Sequence, residues 1–165
     1  MKAAVDVHYE DERAVAACVV FNDWSDSEPA ALVREVLLAA AGYRPGRFFE
    51  RELPCLLAVL ETAAIRFDTI LIDGYVHLRA GECKGLGARL YEALPYRAVV
   101  IGVAKSPLAI ADRFVPIHRG RSAKPLYVSA IGCQAAAAAR LVAAMHGPHR
   151  IPTLLRLADH HARFG

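Results

Sequence analysis

The sequence predicts an α/β fold, and three observations carry that prediction. Thr69-Ile70-Leu71-Ile72-Asp73-Gly74 is a short apolar run closed by a carboxylate and a glycine, the pattern of a strand covered on both faces by helices. Directly before it, residues 50–67 set Leu53, Leu56, Leu57, Leu60 and Ala64 at helical intervals, so a helix feeds into that strand. Ahead of both, residues 2–22 form two apolar stretches around an acidic turn, the pattern of a β-hairpin. An acid at the carboxyl end of a covered strand stands where open α/β sheets place their chemistry. An Asp-Gly turn closing an ordinary strand would give the same residues.

Taken in order, residues 2–9 read as a strand with Asp6 between Val5 and Val7. Buried there, a carboxylate needs a partner or a metal; facing solvent on an edge strand, it carries no message. After the turn Glu10-Asp11-Glu12-Arg13, residues 14–22 return as a second strand, and residues 23–29 turn again. Residues 31–41 are balanced, since leucine and alanine favour helix while the position after a hairpin favours a third strand; a strand is expected. Gly42-Tyr43-Arg44-Pro45-Gly46 is a loop, on which Tyr43 either stacks on a base or packs the loop down. In the helix over 50–67, Pro54 falls in the first turn, where a missing N–H is harmless. Glu50 and Glu52 complement the helix dipole at that end.

Residues 75–85 are a loop whose glycines lack dinucleotide or Walker spacing, which disfavours a cofactor-binding small-molecule enzyme. A helix over 86–94 and a strand over 97–103 follow, leaving Lys105 at the strand's carboxyl edge. Arg113, Arg119, Arg121, Lys124 and His118 read as a solvated loop across 113–124. Residues 126–129 form a short strand, and the alanine-rich stretch 133–146 a helix stopped by Gly147-Pro148. Residues 151–163 form a last amphipathic helix, on which the adjacent His160 and His161 diverge and are surface residues rather than a metal site.

The chain's 165 residues suit one domain, 1–165, with a sizeable core and no repeat or linker. A hydrophobic share of 55% with 22% charged residues excludes disorder. Twenty basic against 17 acidic residues give +3, which permits nucleic-acid contact without arguing for it, because the arginines are scattered. Cys18, Cys55, Cys83 and Cys133 form no C-x-x-C pair, which speaks against a zinc site or a disulfide framework. Asp6 interrupts any signal-peptide core, and no stretch nears the roughly 18 apolar residues of a membrane span. A soluble, cytoplasmic protein with no membrane partner is expected.

Several blocks carry a family resemblance. They are Val5-Asp6-Val7-His8-Tyr9-Glu10; Tyr43-Arg44-Pro45-Gly46 with Arg51-Glu52-Leu53-Pro54; Ile72-Asp73-Gly74; Ile101-Gly102-Val103-Ala104-Lys105-Ser106; and Lys124-Pro125-Leu126-Tyr127-Val128-Ser129. Arg150-Ile151-Pro152 and Arg156-Leu157-Ala158-Asp159 close the series. In order and spacing, over nearly the whole chain, they resemble the endonuclease V family, which nicks DNA or RNA near deaminated purines such as inosine. The resemblance implies a ribonuclease-H-like fold, with three antiparallel strands followed by α–β units that extend one mixed sheet. It implies Asp6, Glu52 and Asp73 as catalytic carboxylates that hold Mg²⁺ or Mn²⁺, hard ions suited to oxygen ligands. Lys105 falls on the family's active-site lysine, Tyr43 and Arg44 on its wedge loop, and Gly74 beside the substrate, with DNA or RNA as partner. Such a metal orients and deprotonates a water and stabilises the leaving oxygen, while Lys105 neutralises the scissile phosphate or helps hold the water.

The departures bear on substrate choice. Where the family carries H-P-R-R-x-G, part of the pocket for the flipped base, this chain reads Tyr75-Val76-His77-Leu78-Arg79-Ala80-Gly81-Glu82-Cys83-Lys84-Gly85. Where the family has a glycine-histidine pair supplying an active-site histidine, this chain has Gly132-Cys133, leaving His77 or His118 to substitute. The loop between Lys105 and Lys124 is short. The expectation is a metal-dependent endonuclease with altered recognition; the alternative is a nucleic-acid-binding protein on the same fold with weak or no catalysis.

Overall fold

The structure, a computed structural model, describes residues 1–38, 48–79, 83–111 and 113–165. It opens with an antiparallel meander, β1 (Lys2–Glu10), β2 (Arg13–Phe21) and β3 (Ala31–Leu38). Helix α1 (Phe48–Ala63) then leads to β4 (Thr69–Asp73), which pairs parallel to β1. A small hairpin of β5 (His77–Arg79) and β6 (Cys83–Lys84) precedes α2 (Leu86–Ala93) and β7 (Val99–Ala104), parallel to β4. β8 (Val115–Ile117) and β9 (Leu126–Ile131) add antiparallel on the far side. Helices α3 (Ala135–Ala144) and α4 (Thr153–Phe164) end the chain. The seven-stranded mixed sheet runs β3-β2-β1-β4-β7-β9-β8. This is the ribonuclease-H-like α/β arrangement that the sequence leads one to expect.

Strand pleating explains why the central run had to be apolar throughout. Successive side chains leave a strand on opposite faces, so Ile70 and Ile72 join Val5, Leu56, Leu60 and Leu90 beneath α1 and α2. Leu71 joins Val19, Ile101, Leu126 and Leu154 beneath α3 and α4. Each such aliphatic side chain contributes about 1.5–3 kcal/mol on burial. Residues 31–38 are strand because pairing with β2 and packing on α1 override helix propensity.

Some expectations are corrected. The first helix spans Phe48–Ala63 rather than 50–67; Ala64, at φ +53°, takes the left-handed conformation that ends it. Pro54 is therefore inside the helix, not in its first turn. The expected loop 75–85 contains the β5–β6 hairpin. The stretch 113–124 contains β8, and its Arg119 is buried rather than solvated. The loop 42–46, with Tyr43 and Arg44, lies outside the described residues.

Candidate active site

The ladder register brings the first two acids together. Val5 pairs with Ile72, so Asp6 and Asp73 are the next residues on neighbouring parallel strands. Strand β1 lies between β2 and β4, so Asp6 is in mid-sheet and not on an edge. It shares the face of Ala4, on the α4 side, and its own Oδ1 accepts from the Val7 amide at 2.9 Å. Asp73 ends β4 and is more exposed. Lys105, just past β7, donates to Asp73 Oδ2 at 2.6 Å.

Glu52 comes from α1 on the other side and is 8% exposed, which rules out a solvated partner of the helix dipole. Burial, then the charges of Asp6 and Asp73, push its carboxyl up to about 8, against the pull of Arg51. Asp6 is pushed up to about 7 by burial and the charge of Asp73, against Lys105 and the Val7 hydrogen bond. Burial opposes charge on Lys105, but its hydrogen bond to Asp73 and the charges of Asp73, Asp6 and Asp159 outweigh it and raise its pKa. The charges of Asp6 and Asp73 thus act on Glu52, and that of Asp73 on Asp6, an arrangement a divalent cation relieves.

A fourth acid, to which the sequence attaches no role of its own, joins them. Asp159 on α4 lies close enough to Asp6 for its charge to act on it, and accepts from Arg163 Nε at 2.9 Å. Burial would raise its pKa, but its hydrogen bond from Arg163 and the charges of Arg163 and Lys105 hold it below its ordinary value. The signal in the sequence was its place one turn beyond Leu155, on the inward face of the last helix. Leu155 and Ile151 line a cavity of about 20 Å³ between Asp6, Asp73 and Lys105, room for one water-sized occupant.

Among the described residues, no three Asp, Glu, His or Cys side chains are arranged as a closed metal-binding cage. The expected triad shares one end of the sheet but is not assembled into a coordination shell, and Lys105 rests on one of its acids. The donors themselves, being carboxylate oxygens, suit a hard cation.

Beyond Asp73 the chain turns through Gly74 at φ +122°, a conformation that favours glycine. A Cβ on Gly102 would meet the Gly74 carbonyl oxygen at 2.4 Å and Ser129 Oγ at 2.8 Å. Ser129, fully buried, accepts from the Val76 amide at 2.9 Å and locks the same turn. Next to it a cavity of about 340 Å³ is lined by Asp73, Gly74, Phe49, Tyr75, Leu78, Leu86 and Leu108. Phe49 is braced from behind by the Arg89 guanidinium, 3.5 Å from its ring centre.

The remaining sequence candidates fall elsewhere. Cys133 follows β9, whose Ile131 pairs with Val100 at the start of β7, so it lies at the opposite end of the sheet from Asp73. A histidine at that position would not reach the acids, and its loss removes nothing from this site. His118 is exposed just past β8, and His77 stands on the β5–β6 hairpin. His160 is exposed against Phe164, on the outer side of α4.

The fold and the site define a ribonuclease-H-like α/β protein with carboxylates gathered at the sheet's carboxyl end. The Endonuclease V family model matches residues 1–120. Endonuclease V of Streptomyces avermitilis is 35% identical over 130 residues, covering 76% of this chain and 54% of the relative; that of Streptomyces coelicolor is 35% identical over the same length and covers 53% of the relative. This chain belongs to the Endonuclease V family, and its match spans about half the length of those relatives. The crystal structure of Streptomyces avermitilis Endonuclease V superposes with a TM-score of 0.77 at 26% identity, covering 98% of this chain and 78% of that one. Ciona intestinalis Endonuclease V, in complex with a DNA containing an inosine followed by a ribo-adenosine, shares the fold, with a TM-score of 0.81 at 20% identity over 98% and 84% of the two chains.

Proposed function

We propose that this chain, as a single domain over 1–165, is a divalent-metal-dependent endonuclease. It hydrolyses phosphodiester bonds in DNA or RNA in the cytoplasm, acting near deaminated bases such as inosine with altered base recognition. The observation that carries this reading is the register that sets Asp6 beside Asp73 at one end of the sheet, with Lys105 bonded to Asp73 and the buried Glu52 near enough to feel both acids. Family membership and the inosine-containing complex of the Ciona intestinalis relative support the choice of substrate.

Asp6, Glu52 and Asp73 would hold Mg²⁺ or Mn²⁺, with Asp159 beside Asp6 as a further acid. Bound there, the ion would activate a water and stabilise the leaving oxygen. The protein's own groups do the rest. Lys105 neutralises a non-bridging phosphate oxygen. Leu155 and Ile151 restrict the water-sized cavity beside it. The larger cavity past Gly74 receives an extruded base, with Tyr43 and Arg44 as the wedge that fills its place. Its described walls are mostly apolar, so they hold a base by packing, with little hydrogen-bond discrimination.

The test is nicking of an inosine-bearing duplex and an inosine-free control, titrated with Mn²⁺ and Mg²⁺. The expected outcome is metal-dependent cleavage of both, with a modest preference for inosine, lost in Asp73→Ala. Because Lys105 sits on Asp73 and the acids are not in a closed cage, the second reading is a binding protein with little catalysis. Metal-free, salt-sensitive binding that Asp73→Ala leaves intact, with no cleavage, would establish that reading instead.

A further inference from the structure

Lys105 stands one residue beyond the end of β7, where strand pairing no longer fixes the backbone. Side chains take over there. The Arg150 guanidinium donates through Nη2 to the Lys105 carbonyl, and to the Pro125 carbonyl at 2.7 Å. It thereby ties the end of β7 to the start of β9. The Tyr75 hydroxyl caps the next carbonyl, that of Ser106, at 2.8 Å.

Arg150 is itself held in place. Arg119, 6% exposed, donates through Nη1 to the carbonyls of His149 at 2.9 Å and Arg150 at 3.3 Å. Its other nitrogens hold the carbonyls of Ala143, Met145 and Gly147. An unbroken line of bonds thus runs from Arg119 through Arg150 to Lys105, and from Lys105 Nζ to Asp73 at 2.6 Å. Arg150 pairs with no carboxylate among the described residues, and its buried Nε has no partner. Arg150 is half-buried, a cation kept there for carbonyls alone carries a desolvation cost, and a single nitrogen, Nη2, at the tip of the rigid guanidinium serves both carbonyls.

We propose that Arg150 is a positioning residue. Its guanidinium, anchored through its own backbone by Arg119, fixes the main chain at Lys105 so that the ammonium stays on Asp73. The kinetic consequence rests on the nuclease reading above; the placement of Lys105 does not, and the experiment separates the two.

Arg150→Lys and Arg150→Gln are compared with the unaltered protein, each first checked for folding by a thermal melt. Arg150→Gln, whose side chain is too short to reach both carbonyls, carries the comparison where Arg150→Lys does not fold. In the first measurement an amine-acylating reagent is applied and lysine labelling is followed residue by residue by mass spectrometry. Lys105 is expected to react several-fold faster in the variants, while Lys2 and Lys84, which Arg150 does not touch, keep their rates. In the second, the nicking kcat falls on the order of 10²-fold with KM little changed, as expected for a misplaced catalytic group. In a Lys105→Ala background, Arg150→Lys then adds no further loss. Unchanged Lys105 labelling, or losses that multiply in the double variant, overturns the proposal. If the unaltered protein nicks nothing, the nuclease reading falls, and the labelling alone decides for or against Arg150.

Discussion

Asp6 and Glu52 set the protein's response to pH. Their ordinary values of 3.8 and 4.5 rise to about 7 and 8 in the fold, chiefly through burial. The native chain therefore keeps these protons where the unfolded chain has lost them. Their contribution is fully present below the ordinary values and is lost as pH climbs through the raised ones. The melting temperature of metal-free protein is expected to fall across that window, more gently in Asp6→Asn, and Mn²⁺ is expected to restore it at the alkaline end. Differential scanning fluorimetry at stepped pH checks all three. In the sequence Asp73 and Lys105 stood out by their places at strand ends, whereas Asp6, in mid-strand, and Glu52 were singled out only by their likeness to the family's blocks. Asp159 was not, since its meeting with Asp6 depends on α4 packing across a strand more than 140 residues earlier in the chain.

Two features at the level of elements invite substitution. Gly102→Ala would drive a Cβ against the Gly74 carbonyl oxygen, which is backbone and has little freedom to yield. A loss of about 1–3 kcal/mol is expected, together with weaker nicking, because the turn displaced is the one that follows Asp73; urea melts and single-turnover assays measure the two effects. Arg119→Met would strip five carbonyls around the end of α3 of their donor, lowering stability by about 2–4 kcal/mol in the same melts. The sequence suggested a solvated loop there because an arginine whose acceptors are main-chain carbonyls leaves no matching acid to find. The β5–β6 hairpin and β8 were hidden for a related reason: runs of two or three residues, one of them containing Pro116, show no period to read.

At the scale of the whole molecule, the order of elements was readable because helical and strand periodicities alternate cleanly along the chain. The net charge of +3 is modest, so affinity for nucleic acid should rest on local cations. Arg121 and Lys124 are exposed in the loop from β8 to β9, which lies towards the sheet end that carries the acids. Replacing both with alanine is expected to weaken duplex binding and reduce the slope of log affinity against log salt by about 0.9 for each phosphate left without its cation; fluorescence anisotropy over a salt series gives that slope. Of the three free cysteines described, Cys18 and Cys55 are buried, and Cys133 is exposed at the end away from Asp73. A maleimide linker at Cys133, with Cys83 replaced by serine, would immobilise the molecule on a glass slide with its acidic end turned outward, oriented for single-molecule observation of a passing duplex.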